Sequence, residues 1–140
     1  MPNGTVLFVD DEISILKSIT RLFYNEGCKV MTALNAAEGL SLLDEQPVHV
    51  VVSDQRMPDM SGSEFLTQVR KFHPQVIRIT MSGYADIASV IECINEAHIH
   101  HFIPKPWDSE QLKSIVLHYL SVASNMRSNA VGEHEHFYFN

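Results

Sequence analysis

The sequence predicts an α/β fold, a parallel sheet with helices on both faces, and three observations carry that prediction. Short apolar runs alternate five times with segments whose apolar residues recur at helical spacing. The run Val48-His49-Val50-Val51-Val52-Ser53 is rich in valine and bounded by turn formers, the pattern of a strand buried on both faces. Two of the runs stop abruptly at acids, Asp10-Asp11-Glu12 and Asp54, where an open α/β sheet places its ligand chemistry.

Val6-Leu7-Phe8-Val9 is the first strand. Ile15, Leu16, Ile19, Leu22 and Phe23 follow at helical spacing, with Gly27 as the stop. Cys28 to Ala33 is a shorter strand that carries Lys29 and so belongs near a sheet edge. Asn35 and Glu38 form a cap-x-x-Glu helix start, continued by Leu40 and Leu43. After the valine strand, Ser61 and Glu64 repeat that pattern, with Phe65, Leu66, Val69 and Phe72 as the expected buried stripe.

Pro74 ends the third helix, and Val76 to Met81 is the fourth strand, closed by Ser82-Gly83. Asp86 is the expected cap of a helix whose apolar face is Ile87, Val90, Ile91 and Ile94. The fifth strand centres on His101-Phe102-Ile103 and breaks at Pro104-Lys105-Pro106. Asp108 with Gln111 starts the last helix, with Leu112, Ile115, Val116, Tyr119 and Leu120 facing inward. One domain over 1–124 accounts for this pattern, and right-handed crossovers join its strands. The segment 125–140 is polar and ends in Phe137-Tyr138-Phe139, which fits a linker start, a docking extension or a remnant of cloning.

The formal net charge of −7 argues against a nucleic-acid-binding face. Cys28 and Cys93 both sit in apolar segments and read as buried thiols of a reducing compartment. The amino terminus has no basic region before its apolar run, and no run is long enough to span a bilayer, so a cytoplasmic location is expected.

In a parallel sheet every strand presents its carboxyl end to the same edge. Asp10, Asp11, Asp54, Ser82 and Lys105 therefore surround one pocket. Three close carboxylates raise one another's pKa values unless a cation neutralises them. All-oxygen ligation suits a hard divalent ion, Mg²⁺, which typically takes a few carboxylates plus a phosphoryl oxygen. A lysine and a hydroxyl opposite it complete a receptor for a phosphoryl group. Singly, each residue has a plainer reading: a turn at Asp54, a solvated helix start at Asp10-Asp11, a turn at Ser82-Gly83, a surface charge at Lys105. Jointly, acid, acid, hydroxyl and lysine all ending strands of one sheet favour the pocket.

The segments Val9-Asp10-Asp11-Glu12, Ser53-Asp54-Gln55-Arg56-Met57-Pro58-Asp59-Met60-Ser61-Gly62, Met81-Ser82-Gly83-Tyr84 and Phe102-Ile103-Pro104-Lys105-Pro106-Trp107 resemble those of two-component response regulator receiver domains. The resemblance covers roughly the first 120 residues and implies a flavodoxin-like (βα)5 sandwich with strand order 2-1-3-4-5. It implies that Asp54 is the phosphoacceptor, taking a phosphoryl group from a sensor histidine kinase or a histidine phosphotransfer protein. Asp10 and Asp11, with Asp54 and the backbone carbonyl of Arg56, would hold Mg²⁺. Ser82, Gly83 and Lys105 would bind the phosphoryl oxygens, and Phe102 matches the aromatic switch position. Such domains are switches rather than enzymes, and they act on an output domain or partner through the face formed by the fourth helix, fifth strand and fifth helix. A homodimer through that face is also common in the family. The segments around Gly83 and Lys105 look most like receivers found ahead of cyclic-di-GMP phosphodiesterase or related domains.

Arg56 and Tyr84 lie two positions beyond Asp54 and Ser82, where bulk is expected to slow attack by water and so modulate autodephosphorylation. An aspartate-nucleophile phosphatase is the alternative enzyme reading. It needs a second acid two residues beyond the nucleophile, where this chain has Arg56, and a cap insertion that the chain lacks. A scaffold that is never phosphorylated is disfavoured because every acid, the hydroxyl and the lysine are present. His98, His100 and His101 fit a structural role at a helix end and strand start better than a metal site, and His134 and His136 are equally weak as ligands.

Overall fold

The computed structural model describes residues 4–83 and 87–128, the last two by backbone only. Five strands alternate with five helices: β1 Thr5–Val9, α1 Ile13–Leu22, β2 Lys29–Ala33, α2 Ala36–Glu45, β3 Val50–Asp54, α3 Gly62–Phe72, β4 Ile77–Ser82, α4 Ile87–Glu92, β5 His101–Pro104 and α5 Ser109–Ser128. A π turn, Cys93–Ala97, extends α4. The strands are all parallel in the order β2-β1-β3-β4-β5, the flavodoxin-like arrangement, and β2 is an edge strand as Lys29 suggests.

Strand alternation divides the core into two layers. Val6, Phe8, Val50, Val52, Ile77 and Ile79 point to one face, where Leu16, Ile19 and Phe23 at the end of α1 and Leu112, Val116 and Leu120 of α5 cover them. Leu7, Val9 and Val51 point to the other, beneath Leu43 of α2 and Phe65, Leu66 and Val69 of α3. Both faces of β1, β3 and β4 are covered, so these strands are buried throughout.

The helix starts follow the sequence. Asn35 Oδ1 accepts from Glu38 N at 2.8 Å, and Asp108 Oδ2 from Gln111 N at 3.0 Å. Ser61 and Glu64 make the reciprocal capping box. The Asp86 cap lies outside the described residues. Gly27, with φ of +79°, supplies the left-handed turn after α1. The helix α5 runs through Ser128, so the first four residues of segment 125–140 are helical and the remainder lies outside the described residues.

Two apolar stripes differ from expectation. Phe72 is 64% exposed, at the last residue of α3. In α4 and its π turn the buried residues are Val90, Cys93 and Ala97, whereas Ile87, Ile91 and Ile94 are each more than half exposed. Both stripes have helical spacing, so periodicity alone admits either. Close packing on α3 selects the smaller side chains. Cys28 is also only half-buried, while Cys93 is buried, and both thiols are free.

Candidate functional site

The register of the parallel sheet assembles the pocket. Val9 pairs with Ser53, Asp54 with Met81 and Ser82 with Pro104, so the residues at and just beyond these strand ends share one edge. Backbone bonds continue the alignment past the strands: Asp10 N donates to Ala33 O at 3.1 Å, and Lys105 N to Ser82 O at 2.9 Å. One carboxylate oxygen from each of Asp10, Asp11 and Asp54 lies within 4.8 Å of the other two. Asp10, Asp54 and Ser82 are buried, and Asp11 is exposed at the mouth.

The charges are unevenly compensated. Lys105 Nζ donates to Asp54 Oδ1 at 2.6 Å. Burial alone would lower the Lys105 ammonium, but that bond and the charges of Asp54, Asp10 and Glu12 more than offset it and hold it above its ordinary range. Asp10 is pushed up to about 6, first by burial and then by the charge of Asp54, against the lowering effect of Glu12 N–H. That N–H donates to Asp10 Oδ1 at 2.9 Å. Among the described residues, Asp10 Oδ2 and Ser82 Oγ are buried without a hydrogen-bond partner. An orphaned buried polar atom costs about 1–3 kcal/mol. A hard cation on the carboxylates and an oxygen-rich ligand at the hydroxyl would satisfy both, so the donor set fits a Mg²⁺-class ion.

The loop between β3 and α3 forms the side of the site. A Cβ at Gly62 would collide with the backbone carbonyl of Asp54 and lie 2.9 Å from Gln55 Cα, so only glycine lets α3 begin this close to the strand end. Asp59 fastens the loop to α2: its carboxylate accepts from Ala36 N at 3.2 Å, Ala37 N at 2.9 Å and Met60 N at 3.0 Å. These bonds, that from Ala37 foremost, lower its pKa and place an anion at the N-terminus of α2. A cleft of about 460 Å³ opens beside the loop, lined by Asp11, Gln55, Arg56, Met57, Pro58, Ser61 and Ser89. The Arg56 side chain is exposed.

Of the remaining sequence-predicted residues, Phe102 is half-buried on β5. A Cβ built on Gly83 would meet nothing within 4 Å among the described residues. Tyr84 lies outside the described residues, as do His134 and His136. The other histidines do not converge. His98 is exposed with φ of 49°, His100 Nδ1 accepts from Arg78 N at 3.0 Å, and His101 Nδ1 lies 3.2 Å from the Tyr119 hydroxyl.

Sequence reasoning missed two buried polar groups, Arg78 at the opposite end of β4 from the pocket and Gln55 directly beside it. Arg78 of β4 is only 6% exposed. Its guanidinium donates to the carbonyls of Ala97 (2.8 Å), Val76 (2.9 Å), Pro74 (3.2 Å) and His98 (3.2 Å). Burial first, and Arg70 second, push its pKa down to about 10, which leaves it charged at neutral pH. Gln55, directly after Asp54, is also buried and bonds into α3 and α4. A cation inside a strand pattern and an amide at a strand end were the only signals in the sequence.

Comparison with known proteins agrees with the geometry. The response regulator receiver domain family matches residues 6–117. The hydrogenase transcriptional regulatory protein HoxA of Cupriavidus necator is 44% identical over 109 residues, which are 78% of this chain and 22% of that protein. The chain thus spans only about a fifth of that relative's length. An uncharacterised protein of Neptuniibacter caesariensis superposes with a TM-score of 0.86 at 38% identity, covering 96% of this chain and 98% of that one. The signal receiver domain of an HD domain-containing protein of Pseudomonas fluorescens gives a TM-score of 0.85 at 26% identity, covering 91% and 94%. With strand order, pocket and family match in agreement, the chain belongs to the response regulator receiver domains of two-component signalling.

Proposed function

We propose that this receiver is a phosphorylation-gated switch whose acceptor is Asp54. The observation that carries the reading is the pairing of a pinned nucleophile with unfilled acceptor sites. Lys105 holds Asp54 Oδ1, while Asp10 Oδ2 and Ser82 Oγ are buried with no hydrogen-bond partner among the described residues. In the reaction, a carboxylate oxygen of Asp54 attacks phosphorus, the phosphorus–nitrogen bond of a phosphohistidine breaks, and the imidazole leaves with its electron pair. Asp10, Asp11, Asp54 and the Arg56 carbonyl would hold Mg²⁺, which supplies charge neutralisation at the phosphoryl oxygens. Lys105 then moves its hydrogen bond from the free carboxylate to a phosphoryl oxygen, and Ser82 donates to another.

The donor is a sensor histidine kinase or a histidine phosphotransfer protein. The output is a domain or partner that reads the face of α4, β5 and α5, where Ile87, Ile91 and Ile94 are exposed, and a homodimer through that face is a second use of it. The receiver unit is residues 1–124, and 125–140 lead out of it. Among the described residues no helix is long and apolar enough to cross a membrane, which suits a cytoplasmic domain. The chain itself performs only its own phosphorylation and dephosphorylation, with Arg56 and Tyr84 slowing the latter.

The test is intact mass after incubation with acetyl phosphate and Mg²⁺. One added phosphoryl group, absent from Asp54→Asn and from a sample held in chelator, is the expected result. An adduct that persists in Asp54→Asn would overturn the assignment.

A further inference from the structure

A polar chain behind Asp54, buried at Gln55, Ser63 and Cys93 and ending at the exposed Glu92, takes no part in holding an ion or a phosphoryl group, and it joins the site to α4. Gln55 Nε2 donates to Ser63 Oγ at 3.4 Å, and Cys93 Sγ reaches Gln55 Oε1 at 3.8 Å. Ser63 Oγ donates to Glu92 Oε1 at 3.1 Å. A carboxylate only accepts, so that direction is fixed, and the 3.1 Å contact between the Ser61 and Ser63 hydroxyls takes its proton from Ser61. Ser63 is 1% exposed and its hydroxyl is saturated.

The chain's two ends are informative. At one end Gln55 is covalently next to Asp54. At the other, Glu92 and Cys93 are the residues at which α4 passes into its π turn. Beyond them, Arg78 grips the carbonyls of Ala97 and His98 and fixes the far end of that helix to β4. Helix α4 is therefore held strongly at its C-terminal end and weakly at its middle. Its N-terminal half begins on the pocket side of these middle contacts, away from the Arg78 anchor.

We propose that Gln55, Ser63 and Glu92 form a latch that holds α4 in its unphosphorylated position. The idea rests on the Asp54 reading and adds a route by which the site is regulated. The three are positioning residues; none touches the reacting atoms. The contacts are individually weak, as a reversible switch requires, since a latch much stronger than the differential affinity of the ligand would never open. Releasing the latch raises the fraction of molecules already in the binding-competent state, and apparent affinity rises by up to that factor.

Beryllofluoride with Mg²⁺, a phosphoryl mimic, tests this by titration against the fluorescence of Trp107, the only tryptophan. Ser63→Ala and Glu92→Ala are expected to bind it about two- to tenfold more tightly than the unaltered protein, as one modest hydrogen bond allows. The double variant should gain no more than either single one. Glu92→Gln, which keeps an acceptor and loses the charge, should stay near the unaltered value. A purely structural loss would weaken binding, so tightening is specific to a latch. Equal or weaker binding by both alanine variants overturns the latch while leaving Asp54 intact as acceptor. Absence of any binding by the unaltered protein overturns the acceptor reading, and the latch falls with it.

Discussion

Asp10 and Arg78 are both charged groups buried in the same sheet, yet their surroundings differ in kind. Arg78 donates to four carbonyls drawn from the loop before β4 and the end of the helix after it. Asp10 has one backbone N–H on one oxygen and, among the described residues, no partner on the other, with two more carboxylates close by. A buried charge that is fully satisfied by its own chain holds the fold together. A buried charge left short of partners costs stability in the free protein and is retained where a ligand completes it.

This contrast makes predictions of opposite sign. The largest effect belongs to the satisfied group. Arg78→Met strands the carbonyls of Ala97, Val76 and His98 and should lower stability in urea by about 3 kcal/mol or more. Asp10→Asn should do the reverse in chelator. The folded pKa of about 6 lies above the ordinary 3.8, so the unaltered protein keeps its full stability below the lower value. It loses stability as pH rises through the upper one. At pH 7.5 the substitution should therefore stabilise by on the order of 2–3 kcal/mol, and at pH 3.5 the gain should vanish. A pH-independent gain would break the comparison.

Smaller effects sharpen it. Asp59→Ala removes the acceptor of two N-terminal amides of α2 and should cost about 1 kcal/mol, since Asn35 still caps the helix. Ile91→Ser and Phe72→Ser should change stability by no more than about 0.5 kcal/mol, as both side chains lie outside the core. A cost of about 2 kcal/mol at Ile91 would instead place that stripe inside.

The difference between the two regions also explains what was legible in the sequence. Asp10, Asp54, Ser82 and Lys105 could be read because each interrupts or ends an apolar run, and a parallel sheet sends all such ends to one edge. Arg78 carries the same kind of signal, a charge in an apolar run, but its partners are the backbone carbonyls of residues 74, 76, 97 and 98. Carbonyls leave no mark in a sequence. Gln55 read as the first residue of a loop, although its amide is buried against Ser63 and Cys93. In α4 the spacing of Ile87, Ile91 and Ile94 was visible, and what decided against them was the room left by α3, which depends on side-chain volumes across two helices. Asp59 stood inside a recognised motif, yet its contact with α2 spans 22 residues and follows only from the folded loop.

The central claim is that the acidic pocket is kept short of partners in order to receive a cation and a phosphoryl group. Its most direct test is the urea midpoint of the unaltered protein and of Asp54→Asn in chelator, in Mg²⁺, and in Mg²⁺ with beryllofluoride. The account predicts two successive rises for the unaltered protein, one for each ligand, with the second absent in Asp54→Asn. A midpoint that responds to neither addition would show that the orphaned atoms of Asp10 and Ser82 await no ligand, and would contradict it.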